Sequence, residues 1–452
     1  MPTDRARYGP IIDYHQQGFA ALASNWSELL AQQKASTLPG EFIAFPSYEW
    51  HSRQFGDHNV YAMEADLPLV DAPHLPALRD VVNKTGGIAI PHHIGYRAGY
   101  RGIDWSEYRA DCSPFVEVFS LHGCSVSDDA PYPMLHEMGP RDFGSTAEAG
   151  WQLGHRFGIV GGTDHHAAYP GSHGDGRMGV FAENLTREGL WEALRNRRVY
   201  AATGDRIDAR MFVDDAWIGE SIQSASSRHV RAIVQGADTI DKVELIKNGR
   251  VIERFFPPAV EVSNASRVFR LRLTWGWGRQ KVPIAWQGRL ALSAGTLKDV
   301  ETCFAGQAVV APQTEGQAAA GDTEFLPHAL LERDDSHCAW RSITQGNETM
   351  RHETTQALSL EIEAPLDARL TVEVNGQRLV HTLSELLHTA RSHFLNGLLS
   401  EAIRIGPLIP IEACQVSVEF TDLPERDVDV YRLQVAQRNG QCAWLTPIWV
   451  ER

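Results

Sequence analysis

Four times in the first 170 residues, a short apolar run leads to a residue that can bind a metal. Phe42-Ile43-Ala44-Phe45 leads to Glu49, and Gly87-Ile88-Ala89-Ile90 leads to His92-His93. Phe115 to Phe119 leads to His122, and Gly158 to Gly162 leads to Asp164-His165-His166. Runs of this length, bounded by Gly and Pro, read as buried parallel strands. Loops at the carboxyl ends of such strands converge on one mouth, where function collects. The pattern therefore predicts Glu, His, His and Asp-x-His around a single metal centre.

Twelve of the 19 histidines precede residue 181, which places the chemistry in this first part. At 452 residues the chain has room for two or three domains. Its formal net charge of -15 argues against nucleic acid and anionic membrane as partners. A small-molecule substrate fits better, because a bound metal can reverse the local field for an anion. The six cysteines form no CxxC pair and are too few for a disulfide framework. The first residues carry no apolar signal core, so a cytoplasmic location is expected. Nothing in the composition decides the oligomeric state.

Strand-like runs alternate with helical patterns at Trp26–Ala35, Leu75–Lys84, Thr146–Arg156 and Thr186–Arg197, which implies a parallel sheet or a barrel. The character changes near Gly204-Asp205-Arg206. Beyond it, Asn248-Gly249 and Asn375-Gly376 each sit between alternating apolar runs, the strongest short hairpin cue. The expected division is a metal-binding unit over 1–205 and a β-sandwich region over 206–452. Residues 312–322 read as an exposed loop, and a helical pattern near 384–403 interrupts the sandwich.

Each candidate has a plainer reading. Asp164 and His166 offer a carboxylate and an imidazole from a tight turn, which divalent metals accept; alternatively Asp164 caps the turn. Glu49 can bridge metals or pair with Arg53. Successive strand residues point to opposite faces, so one of His92 and His93 is expected to bind metal and the other to pack. His122 is a ligand or a turn residue, and Glu117, inside its strand, is expected to orient a ligand or to pair with an arginine. His58 is placed as a proton donor or substrate contact. Arg97 and Arg101 suit a phosphate or carboxylate, or simply solvate the surface. His15, after a possible strand Ile11–Tyr14, is a poor candidate. There is no P-loop, GxSxG or GxGxxG after a strand.

The order Glu, His, His, Asp-x-His resembles the PHP domain, the polymerase and histidinol phosphatase family of metal-dependent hydrolases. The chain is more closely similar to an uncharacterised bacterial branch, domain of unknown function 3604. The matching stretches are Phe42–Ser52, Gly56–Tyr61, Ile90–His93, Val116–Gly123, Gly162–His166, Tyr200–Ile207 and Ala443–Val450. The resemblance implies an α/β fold: a distorted (β/α)7-type barrel followed by an all-β sandwich. It also implies two or three clustered Zn, Mn or Fe ions, with phosphoester hydrolysis as the commonest activity. Glu49, His93, His122, Asp164 and His166 would be ligands.

The chain departs from that pattern in one respect. The family opens with an HxH strand and a further histidine, and neither is found before His51 apart from His15. Met1 is therefore expected to be an internal methionine, with the barrel incomplete at its start. The favoured function is hydrolysis through a metal-activated water. One alternative is a catalytically defective barrel carrying a sandwich that binds glycan or protein. Another is a metallohydrolase of C–O or C–N bonds.

Overall fold

In the computed structural model the described residues are 5–134, 139–166, 169–262, 265, 267–278, 283–306, 328–344, 354–398 and 400–452. The loop expected at 312–322 lies outside them. Strands outnumber α-helices twenty-eight to five among the described residues. This overturns the α/β expectation. A (β/α)7-type barrel is not seen, and the strands fall into several separate sheets.

The first part is built from short pieces. Helix α1 (Arg5–Ser36) is followed by β1 (Ser47–Trp50), β2 (His58–Tyr61), α2 (Leu75–Thr85) and β3 (Ile88–Pro91). The possible strand at Ile11–Tyr14 is part of α1. β1, β2 and β3 form one antiparallel sheet. A second sheet joins β4 (Phe115–Ser120), β5 (Gly123–Cys124) and β6 (Gly158–Gly161). Only β4 and β6 run parallel in these two sheets. The short connections from β1 to β2 and from β4 to β5 require antiparallel pairs, since a parallel crossover needs roughly a dozen residues; β2 and β3 are antiparallel although the stretch between them, which holds α2, is long enough for either direction. The long stretch from β5 to β6, which holds α3 (Ala147–Gln152), can make that crossover.

The apolar run Phe42–Phe45 is not a strand; the strand begins after Pro46, at Ser47. The helix expected at Thr186 forms as α4 (Arg187–Arg195). Its Thr186 Oγ1 accepts from the Gly189 amide at 3.1 Å, and Trp191, Ala193 and Leu194 are buried.

After α4 the chain enters a large sheet. β7 (Arg177–Val180) and β8 (Val199–Ala202) lie in the same eight-stranded sheet as the C-terminal strands, and β8 pairs with Cys442–Leu445. That sheet faces a four-stranded sheet over a core that includes Met211, Val230, Leu245, Leu433 and Ile448. Between residues 267 and 410 the chain leaves this sandwich and builds a second one from two five-stranded sheets, around Trp275, Trp286, Trp340 and Leu360. Beyond 206 the described strands thus form two sandwiches, one interrupting the other.

Both Asn-Gly hairpins form, with Asn248 and Asn375 at positive φ. The helix near 384–403 is only Leu383–His388, closed at its start by a Thr382–Glu385 capping box, and Arg391–Phe394 is a strand. Phe394 and Leu398 are exposed, so the helical spacing there marks no buried face.

Candidate metal centre

The four strand ends meet. Glu49 stands near the end of β1, opposite Asn59. His92 and His93 follow β3, His122 follows β4, and Asp164 follows β6. His92 and His93 do not point apart as alternation predicts. His93 has φ 31° and Asp164 φ 46°, a left-handed backbone that turns the chain sharply. Both imidazoles consequently enter one cluster with ring centres 4.0 Å apart.

Asp164 Oδ2 lies 2.9 Å from His122 Nε2 and 3.2 Å from His92 Nε2, and Asp164 Oδ1 lies 3.5 Å from His166 Nε2. Glu49 Oε1 is 3.9 Å from His92 Nε2 and 4.0 Å from His93 Nε2. Within the set Glu49, His92, His93, ligand atoms lie within 4.8 Å of one another, and the same is true of His93, His122, Asp164.

A second ring of contacts orients the first. Glu117 Oε1 sits 2.9 Å from His92 Nδ1, which leaves Nε2 toward the carboxylates. The Tyr96 hydroxyl is 2.5 Å from His122 Nδ1, with the same effect. His92 Nδ1 (for all its closeness to Glu117), His93 Nδ1 and Asp164 Oδ2 are buried yet enter no aligned hydrogen bond. Asp164 Oδ2 faces two imidazoles at ion-pair distance, so the carboxylate and the rings turn their ligand atoms toward one another. Carboxylates with imidazoles suit Zn, Mn or Fe, so the residues present fit a divalent ion.

Electrostatics follow the same geometry. Burial alone would lower the His92 pKa, but the Glu117 and Asp164 carboxylates raise it well above its usual value. Burial favours the neutral form of Asp164, yet His92, His122 and His166 hold it far below the carboxylate range. Burial and the neighbouring His92 charge push His93 down to about 3. Burial raises Glu117.

The residues assigned to substrate are less aligned with that role. His58 is buried, with Nδ1 3.0 Å from the Gly56 carbonyl and its ring against Trp50; burial lowers it to about 4. Arg101 does not face solvent freely. Its Nε donates to Asp57 Oδ2 at 2.7 Å, and its Nη2 also reaches Asp57 and lies 3.2 Å from His93 Nε2. Arg97 is exposed and lies over the Tyr100 ring.

Sequence reasoning passed over Asp57 and His51. Asp57 is fully buried, takes the Ser52 amide at 2.7 Å, and lies 3.4 Å from His93 Nε2. Burial opposes its charge, but His51, His93 and Arg101 keep it ionised well below its ordinary range. His51 Nδ1 lies 3.5 Å from Glu49 and 3.3 Å from Asp57, making a third group of potential ligands. The signal is present in Gly56-Asp57-His58: a carboxylate after a glycine, immediately before a strand-borne histidine.

Residues 171–277 match the profile described as "Protein of unknown function (DUF3604)". An uncharacterized protein of Chlamydia muridarum (strain MoPn / Nigg) is 28% identical over 173 residues, covering 34% of this chain and 28% of the relative. One from Chlamydia pneumoniae is 26% identical over 224 residues, covering 46% and 35%. The aligned part thus spans about a third of these relatives' length. No solved structure matches. The relatives carry no named activity, so the likeness these matches support is to the DUF3604 family, and it brings no function with it.

Proposed function

We propose that the chain is a metal-dependent hydrolase, with phosphoesters as the favoured substrate class. The observation that supports this most is the gathering of Glu49, His92, His93, His122 and Asp164 into two adjoining groups of potential ligands that share His93. A divalent ion held there, or two or three as the family resemblance implies, would supply Lewis acidity toward water and a phosphoryl oxygen. Glu49 and Asp164 would hold the ions, with the histidines completing the set and His166 closing it beyond Asp164.

The chain's own groups do the rest. Glu117 and Tyr96 fix the rings of His92 and His122. Asp57 clamps Arg101 against His93, so Arg101 serves first to shape the site and offers substrate only what Asp57 leaves. His51, with about 36% of its side chain exposed beside Glu49, is the imidazole placed to carry a proton at the mouth, in place of the buried His58. Arg97, on the exposed loop, is free to meet an anionic group.

Because Arg101 is so occupied, hydrolysis of a non-phosphate C–O or C–N bond stands as the second reading. Metal analysis of the purified protein, followed by turnover assays on phosphomonoesters, phosphodiesters, carboxylic esters and amides, tests both. Metal binding with phosphoester turnover is expected. Stoichiometric metal with ester or amide turnover alone favours the second reading, and no bound metal sinks both.

A further inference from the structure

Asp57, His51, Glu49 and His93 close a ring of ligand atoms beside the Asp164 cluster. Asp57 Oδ2 lies 3.3 Å from His51 Nδ1, which lies 3.5 Å from Glu49 Oε1. Glu49 Oε1 lies 4.0 Å from His93 Nε2, which lies 3.4 Å from the same Asp57 Oδ2. Donors bonded at about 2.0–2.1 Å to a tetrahedral ion stand roughly 3.3–3.4 Å apart. Three edges of the ring are close to that spacing, and the fourth is slightly long. Two carboxylates and two imidazoles are a donor set that divalent metals accept. Asp57 is anchored through its other oxygen, Oδ1, which takes the Ser52 amide at 2.7 Å. The ring is reached from solvent through Glu49 and His51, whose side chains are 29% and 36% exposed. It is distinct from the Asp164 position, where the carboxylate faces His92, His122 and His166.

A cation already stands at this ring. Arg101 Nη2 hydrogen-bonds to Asp57 Oδ2 and lies 3.2 Å from His93 Nε2, two of the atoms an ion would take. Its Nε donates to the same oxygen at 2.7 Å. The backbone holds the side chain in place. Arg101 has φ 72°, and its amide donates to the Arg53 carbonyl at 2.8 Å. A left-handed conformation is uncommon at a residue such as arginine and persists where the surroundings enforce it. A divalent ion in the ring would meet the guanidinium at close range and compete with it for Asp57 Oδ2, so the two cations exclude one another.

We propose that Glu49, His51, Asp57 and His93 form a second divalent-metal position, and that the Arg101 guanidinium fills it. The chain as folded then loads metal only on the Asp164 side. This rests on the metal-centre reading above and adds His51 and Asp57 to the ligands.

Equilibrium dialysis of the full chain against buffered Zn2+, with metal per chain measured by atomic emission, tests it. Arg101→Met should bind one more Zn2+ per chain than the wild type. Arg101→Met combined with Asp57→Asn should return to the wild-type number. Because Arg101→Met alone leaves the buried Asp57 charge unanswered, its unfolding midpoint is read with and without Zn2+. The ion should raise that midpoint by more than it raises the wild type's. Zn2+ bound by the wild type with no gain in Arg101→Met, a gain that survives Asp57→Asn, or a midpoint raised no more than the wild type's overturns the proposal and leaves the hydrolase reading standing. No Zn2+ in either protein overturns both.

Discussion

At the residue scale, the centre separates groups that would hold a metal from groups that aim them. Glu117 touches His92 Nδ1 and the His93 amide but stands behind the imidazole. Removing such a partner from a metal-binding histidine costs 10–100-fold in affinity. Glu117→Gln should therefore lower divalent-metal affinity by about 10–100-fold while keeping the stoichiometry. Asp164→Asn should remove bound metal outright and reduce hydrolysis by at least ~100-fold. Metal titration with a chromophoric competitor separates these outcomes; an Asp164→Asn protein that retains full metal content would show the carboxylate to be a cap and not a ligand.

At the element scale, the loop after β3 positions Arg101, and its shape depends on a glycine. A Cβ on Gly102 would lie 1.7 Å from the Tyr96 carbonyl oxygen. Gly102→Ala must displace backbone and not merely a side chain. It should cost more than ~2 kcal/mol and disturb both Arg101 and Tyr96, read as a lower urea midpoint together with weaker metal binding.

Much at this scale was legible in the sequence. The Asn-Gly turns, the Thr186 cap and the acidic and histidine residues that follow β3, β4 and β6 are local signals, written within a few residues. Strand direction was not legible, because apolar runs of four residues look alike whether the neighbouring strand runs parallel or antiparallel. The short connection from Trp50 to His58 is what carries that information for β1 and β2. The period-2 rule fails at His93, where the strand has ended and the backbone is left-handed, with φ 31°. Leu386 and Leu387 promised a long helix that exposed Phe394 and Leu398 do not continue.

At the scale of the whole molecule, one buried carboxylate joins the parts. Asp205 accepts from His173 at 2.9 Å, from Arg272 of the second sandwich at 2.9 Å, and from Gln437 and Asn439 of the C-terminal sheet at 2.8 and 2.7 Å. Burial works against a charged His173, but Cys303 and Asp205 raise it to about 9. A raised imidazole contributes stability that is fully present below its unfolded value of about 6.5 and is lost as pH climbs through about 9. The shift corresponds to an upper bound of about 3 kcal/mol. Stability measured by urea unfolding should therefore fall between pH 6.5 and 9, and His173→Gln should flatten that slope. An unchanged slope in the variant assigns the loss to other groups.

The same scale decides whether the residues beyond 205 can stand alone. The eight-stranded sheet crosses that point, because β8 supplies the edge partner of Cys442–Leu445. Thr446 Oγ1 accepts from the Ile159 amide at 3.0 Å and donates to the Val199 carbonyl at 2.5 Å. Trp444 is fully buried, and its ring lies 5.7 Å from that of Phe119. A chain cut at 205/206 would expose this tryptophan, orphan two buried hydrogen bonds of Thr446 and open an apolar strand edge. Each lost bond alone costs about 1–3 kcal/mol, and an open edge favours pairing with other chains. Residues 206–452 expressed alone should aggregate or elute as oligomers, with an unfolding midpoint well below that of the full chain. The second sandwich at 267–410 keeps its own core, so its tryptophan fluorescence should survive the cut. A monomeric 206–452 fragment as stable as the full chain would mean that the sheet joins two independent folding units, despite the continuity of its strands.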